Sequence, residues 1–282
     1  MERLMFTIHS TLTEEEKWYF DLHGFLVLRN EISKGEIGEM LEVLRHWLTI
    51  DESDIPPPLH RGRQEPCKTH IGHIQYGHRL FQDLAMNPDI IRVVAGLMMN
   101  APRLFHNNFT MMTKHDYPQH FHRDDSGFKF PQGFRNPHND YQAASGHVYC
   151  NHLATWVALV DVPPGTGFCL VPGSHKSQFK TPEHLPVKHD PPTSITLPMQ
   201  AGDVAVFSTN LLHDASPWTE DYPRMNIFQR YQLSVYFNEN GKGGYPFDEH
   251  RDKISEEQYE LESFSKELKS VVKRILPNGG EV

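Results

Sequence analysis

Near residue 102 the chain stops repeating its apolar residues every three or four positions and begins alternating them every two. Strand-like segments follow near 104–114, 117–123, 147–161, 167–171, 194–199, 203–208 and 223–237. Alternation gives each strand two faces, so each segment can bury one of them against a second sheet. Pro163-Pro164-Gly165, Pro172-Gly173 and Ala201-Gly202-Asp203 supply turn residues between them. Seven or eight short strands at this spacing predict a sandwich or jelly roll.

Helices flank this β region. Thr13 with Glu16, and Ser33 with Glu36, have the spacing of capping boxes. The first opens a helix through Trp18 and Leu22 to Gly24. The second precedes Ile37, Met40, Leu41, Leu44 and Leu48, which share one helical face. Phe25 to Leu28 reads as a short strand. Residues 50–69, polar and interrupted by Pro56-Pro57-Pro58, read as a loop. Asn87 can cap a helix with Pro88 in its first position. Ser255 with Gln258 opens one long C-terminal helix with Tyr259, Leu261, Phe264, Leu268 and Val272 on its apolar side. The expectation is a single domain over residues 1–282. About 1–100 is its helical part, about 101–240 its β core with the site, and about 241–282 its closing helix.

Charge and composition exclude several classes. Lys plus Arg number 27 against 36 Asp plus Glu, a formal charge of −9, with no dense basic run. A nucleic-acid or anionic-membrane partner held by bulk charge is therefore not expected, and a small-molecule substrate is. The three cysteines, Cys67, Cys150 and Cys169, form no CxxC pair, which fits a reducing compartment. No signal peptide, membrane-length apolar run or peroxisomal C-terminus is present, so an intracellular, cytoplasmic protein is expected. Nineteen histidines make a metal site worth seeking.

The sharpest local signal is Gln119-His120-Phe121-His122-Arg123-Asp124-Asp125. On an extended segment His120, His122 and Asp124 share a face. An imidazole and a carboxylate two residues apart can chelate one metal ion. One more imidazole completes the two-histidine, one-carboxylate arrangement of non-heme iron(II) oxygenases. Alone, HxD also describes a polar strand end. Downstream, Ala201 to Phe207 is a turn feeding an apolar strand. His213 follows six residues on, and Arg224 lies eleven beyond that (224 − 213) at the start of a strand. Arginine's planar fork suits the far carboxylate of a dicarboxylate cosubstrate. Between them lie a tryptophan strand, Thr155 to Asp161, and Gly167 to Val171 leading to Pro172-Gly173-Ser174-His175.

In this order the segments resemble the phytanoyl-CoA dioxygenase family of iron(II)- and 2-oxoglutarate-dependent oxygenases, over roughly residues 15 to 240. Gly24 to Asn30 followed by a helix resembles its N-terminal half. The resemblance implies a mainly β fold with flanking helices around a double-stranded β-helix, a cupin-like jelly roll. It implies Fe(II) held by His122, Asp124 and His213, with 2-oxoglutarate and O2 as cosubstrates. Arg224 matches the arginine that binds the distal carboxylate, and Trp156 a tryptophan lining that site. The implied reaction hydroxylates an aliphatic C–H bond of a small metabolite or acyl substrate, releasing succinate and CO2. Asp124, where related halogenases have a small residue, favours hydroxylation over halogenation.

There are departures. The family often has Gly-Ser after the distal histidine; here Asp214-Ala215 stands there, removing a hydroxyl unless Ser216 substitutes. His120, Phe128, Arg135 and Arg230 are candidates for contact with substrate or with the metal ligands. His175 reads as loop-stabilising. Ser126 to Cys150 is long enough to form a substrate lid, with Phe128, Phe130, Phe134 and Tyr141 as an apolar wall and Lys129 and Arg135 for an anionic group. The rival readings are a catalytically inactive jelly roll that binds a ligand or partner, and a cupin-like metalloenzyme that does not use 2-oxoglutarate. A complete set of ligands argues against the first, and Arg224 against the second.

Overall fold

A computed structural model describes residues 11–116, 119–124, 141–177, 191, 193–235, 245–265 and 269–276. Both N-terminal capping boxes form. Thr13 and Ser33 accept from the amides of Glu16 and Glu36, whose carboxylates reach back to the cap amides. They open α1 (Glu14–His23) and α2 (Lys34–Thr49). The buried face of α2 is Ile37, Met40, Leu41, Leu44 and Trp47, with Leu48 only partly covered. α3 (Arg79–Ala85) and α4 (Pro88–Leu97) follow. Asn87 caps α4 through its Oδ1, and Pro88 stands in the first turn.

Among the described residues the larger sheet has seven strands. In spatial order they are β1 (Phe25–Leu28), β10 (Val204–Ser208), β7 (His152–Ala158), β12 (Arg224–Leu233), β4 (Pro102–Met112), β3 (Lys68–Gly72) and β2 (His60–Glu65), with every neighbouring pair antiparallel. A smaller sheet orders β11 (His213–Ser216), β8 (Gly167–Leu170) and β9 (Ile195–Thr196). β5 (Tyr141–Ala144) and β6 (His147–Cys150) form a separate hairpin. This is the mainly β, two-sheet architecture expected from the strand spacing.

Strands β7 and β10 are buried along their whole length, and alternation explains why. Leu153, Val157, Val204 and Val206 belong to the core shared with the helices. Ala154, Trp156, Ala158, Ala205 and Phe207 belong to a second cluster between the sheets. The large sheet thus has helices on one face and the small sheet on the other. Among the described residues no helix is long and apolar enough to cross a membrane.

Two expectations are corrected. Residues 50–69 are not a loop throughout, because β2 and β3 pair with each other and extend the sheet beyond β4. Their sequence hides this, since the ladder is carried by backbone bonds and there is almost no apolar alternation. The pair packs through its imidazoles instead. A Cβ on Gly62 would lie 2.3 Å from His70, and one on Gly72 2.2 Å from His60. The C-terminal segment is not one helix either. α5 (Glu256–Glu262) ends where Ser263 turns extended (φ −75°, ψ 149°), and α6 (Ser270–Ile275) starts separately. Ser255 does cap α5, through the Gln258 amide. Phe264 is exposed rather than buried, and Leu268 lies outside the described residues.

What ends α5 is a polar cluster beneath it. The buried Glu262 carboxylate accepts from Gln75 Nε2 (2.8 Å), Gln258 Nε2 (2.7 Å) and the Tyr76 hydroxyl (2.6 Å), and its carbonyl accepts from Arg103 Nε (2.8 Å). Burial pushes its carboxyl from 4.5 up to about 7, against the pull of these donors. A carboxyl raised on folding contributes stability that is full below its unfolded value and lost as pH rises through the folded one. Glu262→Gln should therefore remove a loss of roughly 2–4 kcal/mol that the native chain suffers between about pH 4.5 and 8. Urea denaturation of both proteins at the two ends of that window checks it: the difference between them should change with pH in this direction.

Candidate active site

The segment carrying His122 lies against the small sheet. Its backbone and that of His213 exchange two hydrogen bonds, His122 N to His213 O (3.1 Å) and the reverse (3.0 Å). Two residues on, the Asp124 amide donates to Thr209 O (3.0 Å). Arg123, on the opposite side, ties the segment down by donating to Asn210 O (2.8 Å) and Ser174 O (3.1 Å). Ser174, in the Pro-Gly-Ser-His loop, also accepts from the Leu212 amide through its Oγ (2.7 Å). That loop thereby fixes the residue before His213. His175 itself is buried against Tyr141 and Phe20.

These backbone contacts bring three side chains together. Candidate ligand atoms of His122, Asp124 and His213 lie within 4.8 Å of one another, a group that can hold a metal ion. His122 Nε2 stands 3.8 Å from Asp124 Oδ1, and the two imidazole centroids are 4.6 Å apart. Both imidazoles have their tautomer set by a carbonyl, which can only accept. His122 Nδ1 donates to His120 O (3.1 Å) and His213 Nδ1 to Leu211 O (2.7 Å). Each ring therefore turns the lone pair of its Nε2 to the shared space, as a metal ligand requires. Burial holds the His213 imidazole below its ordinary range, hence neutral, although Asp124 pulls the other way.

Asp124 is held from behind. Arg230 Nε donates to its Oδ2 at 3.0 Å and Nη2 forms an ion pair with the same oxygen at 3.0 Å, leaving Oδ1 toward His122. Burial alone would raise this carboxyl; Arg230 and then the neighbouring imidazoles outweigh it and keep it below the usual carboxylate range. Arg230 also rests on the Phe228 ring (4.7 Å) and donates through Nη1 to His106 Nδ1 (3.3 Å). Burial and Arg230 push His106 down to about 3, so it is a neutral acceptor.

A cavity of about 330 Å3, walled by both sheets, has His122 and His213 in its lining. Arg224, Asn226, Phe228 and Arg230 line it from alternate positions of β12, and Trp156 lines it from β7, stacked on Phe168 at 6.1 Å. Arg224 is buried, its Nε has no partner, and burial pulls it down to about 10. A buried guanidinium nitrogen without a partner is uncommon, and the planar fork can pair with a carboxylate. Ala215 also faces the cavity, whereas Ser216 is buried and its Oγ accepts from Gln119 Nε2 (2.6 Å).

The remaining candidates distribute differently. The His120 side chain is exposed, and its backbone serves the site: its carbonyl accepts from His122, its amide donates to Asp214. Phe128 and Arg135 lie outside the described residues, as do Lys129, Phe130 and Phe134. Tyr141 begins β5, and its hydroxyl donates to Asp21 on α1. Sequence reasoning missed Lys68, His70, His106, Asn108, Thr110 and Asn226, all on the cavity wall. The alternation His106-x-Asn108-x-Thr110 was a readable signal, partly masked by Asn107 on the other face of the strand. Lys68 stands in the row Lys68–Met112–Arg224 across β3, β4 and β12.

Residues 20–226 match the phytanoyl-CoA dioxygenase family. Among solved structures, HygX from Streptomyces hygroscopicus with nickel and 2-oxoglutarate bound is similar, at 21% identity over 80% of this chain and 89% of that one, with a TM-score of 0.66. The epimerase SnoN of nogalamycin biosynthesis, in complex with Fe3+, alpha ketoglutarate and nogalamycin RO, is 20% identical over 86% of this chain and 93% of its own, with a TM-score of 0.60. The carbocyclase SnoK of the same biosynthesis is 19% identical over 79% and 85%, with a TM-score of 0.58. At these identities the structures share the fold. No curated protein sequence matches the chain.

Arg230 orients Asp124 through one hydrogen bond and an ion pair. Removing a group that orients a metal ligand commonly weakens metal binding about 10- to 100-fold. Arg230→Ala should do so for Ni(II), measured by calorimetry without any cosubstrate. An arginine serving only a substrate would leave that affinity unchanged.

Proposed function

Because this chain belongs to the phytanoyl-CoA dioxygenase family of iron(II)- and 2-oxoglutarate-dependent enzymes, we propose that it hydroxylates an aliphatic C–H bond of a small-molecule substrate, converting 2-oxoglutarate to succinate and CO2. One observation carries the reading most: two members of a His122, Asp124, His213 group that can hold a metal line the same cavity as the buried Arg224, whose Nε has no partner. The donor set fits Fe(II), which accepts imidazole nitrogen and carboxylate oxygen on one face and leaves the opposite positions open.

In this reading His122, Asp124 and His213 hold the iron. Arg224 anchors the distal carboxylate of 2-oxoglutarate, with Trp156 as an apolar wall beside it. Bound iron, with 2-oxoglutarate and O2, supplies the oxidising power for the substrate C–H bond. The chain's own residues do the rest. The Leu211 and His120 carbonyls keep both imidazoles presenting Nε2. Arg230 keeps Asp124 ionised and turned toward the metal. Trp156, Phe168 and Phe228 exclude water from the cosubstrate end. His70, His106, Asn108 and Thr110 face the cavity from the β3–β4 side and form the wall that meets the substrate. A small-molecule substrate is supported by similar structures that bind hygromycin B and nogalamycin RO.

The neighbouring fold also serves an epimerase and a carbocyclase. Mass spectrometry of the product separates these outcomes. Hydroxylation adds one oxygen, epimerisation changes nothing, and ring closure removes two hydrogens.

His122→Ala, Asp124→Ala or His213→Ala should each abolish succinate formation and leave the fold intact; near-normal succinate from any of them would remove that residue from the ligand set. Arg224→Ala should spare Fe(II) binding but weaken 2-oxoglutarate by 2–5 kcal/mol, on the order of 30-fold to several thousand-fold, because a buried carboxylate loses its partner. Arg224→Lys should not restore normal affinity, since one ammonium cannot reproduce the fork. Anaerobic titration of the visible band that 2-oxoglutarate gives with Fe(II) reads both effects. Unchanged affinity in Arg224→Ala would favour a metalloenzyme that does not use 2-oxoglutarate.

A further inference from the structure

We propose that His106 is a positioning residue for the metal site: it holds the Arg230 guanidinium against Asp124 and so fixes the direction of the carboxylate oxygen offered to the metal. The proposal rests on the reading of Asp124 as a metal ligand.

The strands set the pair. β4 and β12 place His106 and Arg230 directly opposite each other, and both side chains line the cavity. Immediately beyond them the register shifts, because Tyr231 meets Leu104 and Phe105 is left over on β4. A bulge of this kind re-aims side chains and is frequent beside active sites. Here Leu104 and Tyr231 enter the core, while His106 and Arg230 stay on the cavity face.

The guanidinium has three separate holds. Nε donates to Asp124 Oδ2 (3.0 Å), and Nη2 pairs with the same oxygen (3.0 Å). One face of the group lies over the Phe228 ring, at 4.7 Å. Nη1 donates to His106 Nδ1 (3.3 Å). A guanidinium fixed only along its carboxylate edge can swing together with that carboxylate. A contact from a different strand removes that freedom, and β4 supplies it through His106.

The ring is set in turn. A guanidinium has no lone pair to offer, so Nδ1 must accept and the ring proton must sit on Nε2. Nε2 lies 2.6 Å from the side-chain amide of Asn108. An N–H needs an oxygen there, so the amide turns its carbonyl oxygen to the ring and gives up only the 3.4 Å contact from the His73 amide. Asn108 thereby holds the tautomer that Arg230 requires, and a line of contacts runs from the cavity wall to Asp124.

The test is calorimetric titration of the metal-free protein with Ni(II), without cosubstrate. Leucine fills the space of the ring and has no acceptor, whereas asparagine carries its Oδ1 close to where histidine carries Nδ1. His106→Leu should weaken Ni(II) about 3- to 10-fold, the worth of one net hydrogen bond. His106→Asn should bind as the native protein does, although it fills the space less well. In an Arg230→Ala background His106→Leu should cost nothing more, because the group it positions is gone. Should His106→Leu fail to fold, His106→Gln, whose amide reaches the Nε2 position and leaves that of Nδ1 empty, carries the same expectation.

Native Ni(II) affinity in His106→Leu would overturn the proposal. So would equal losses in His106→Leu and His106→Asn, which would mark a role in packing. Additive losses from His106→Leu and Arg230→Ala would overturn it as well, since His106 would then act by another route. Native Ni(II) affinity in Asp124→Ala would instead remove the reading beneath the proposal, and it is distinguishable because it does not involve His106.

Discussion

The two-residue alternation of β12 is the constraint on which the rest depends. This strand lies at the middle of the seven-stranded sheet, between β7 and β4. Met225, Ile227, Tyr231 and Leu233 enter the core shared with the helices. Arg224, Asn226, Phe228 and Arg230 enter the cavity. A one-residue slip would put two guanidinium groups among the buried aliphatics of the helix side and empty the site, so register is specified by fold and function together. The neighbouring strands repeat the division, and the large sheet can therefore be buried on both faces while one of them remains polar.

Burial then makes the charges of that face informative. Asp124 and Arg230 satisfy each other, and their pairing holds one carboxylate oxygen in a fixed direction. Arg224 has only more distant acidic groups near it, with Asp214 the strongest opposing influence on its titration. One arginine thus belongs to the protein's own electrostatic balance, and the other keeps a buried Nε without a partner among the described residues. The same strand supplies both, six residues apart, and the difference lies in what the small sheet places opposite each.

Much of this was legible. The capping boxes, the tryptophan strand and the order HxD, His, Arg all follow from spacing, because short-range hydrogen bonds and alternation govern them. What was not legible depended on partners distant in sequence. The β2–β3 hairpin has backbone ladders and imidazoles folded over glycine in place of an apolar stripe, so Lys68 and His70 went unread with it. The apolar period of the C-terminal segment runs on past Ser263, but the chain leaves the helix there because Gln75, Tyr76 and Arg103 hold Glu262. Arg230 was placed on the right face by alternation, yet nothing local shows that it reaches Asp124, 106 residues earlier (230 − 124).

The single exchange of backbone bonds between His122 and His213 joins two stretches 91 residues apart (213 − 122). Between these two residues it is a slender seam, and the side chains at its ends converge on one point. An ion seated there would act as a removable cross-link, closing a long loop at a place where the backbone alone contributes little. Because such a ligand stabilises only the folded form, its contribution grows with the logarithm of its free concentration. The lifetime of the folded chain would then follow the supply of iron around it, before any substrate is turned over.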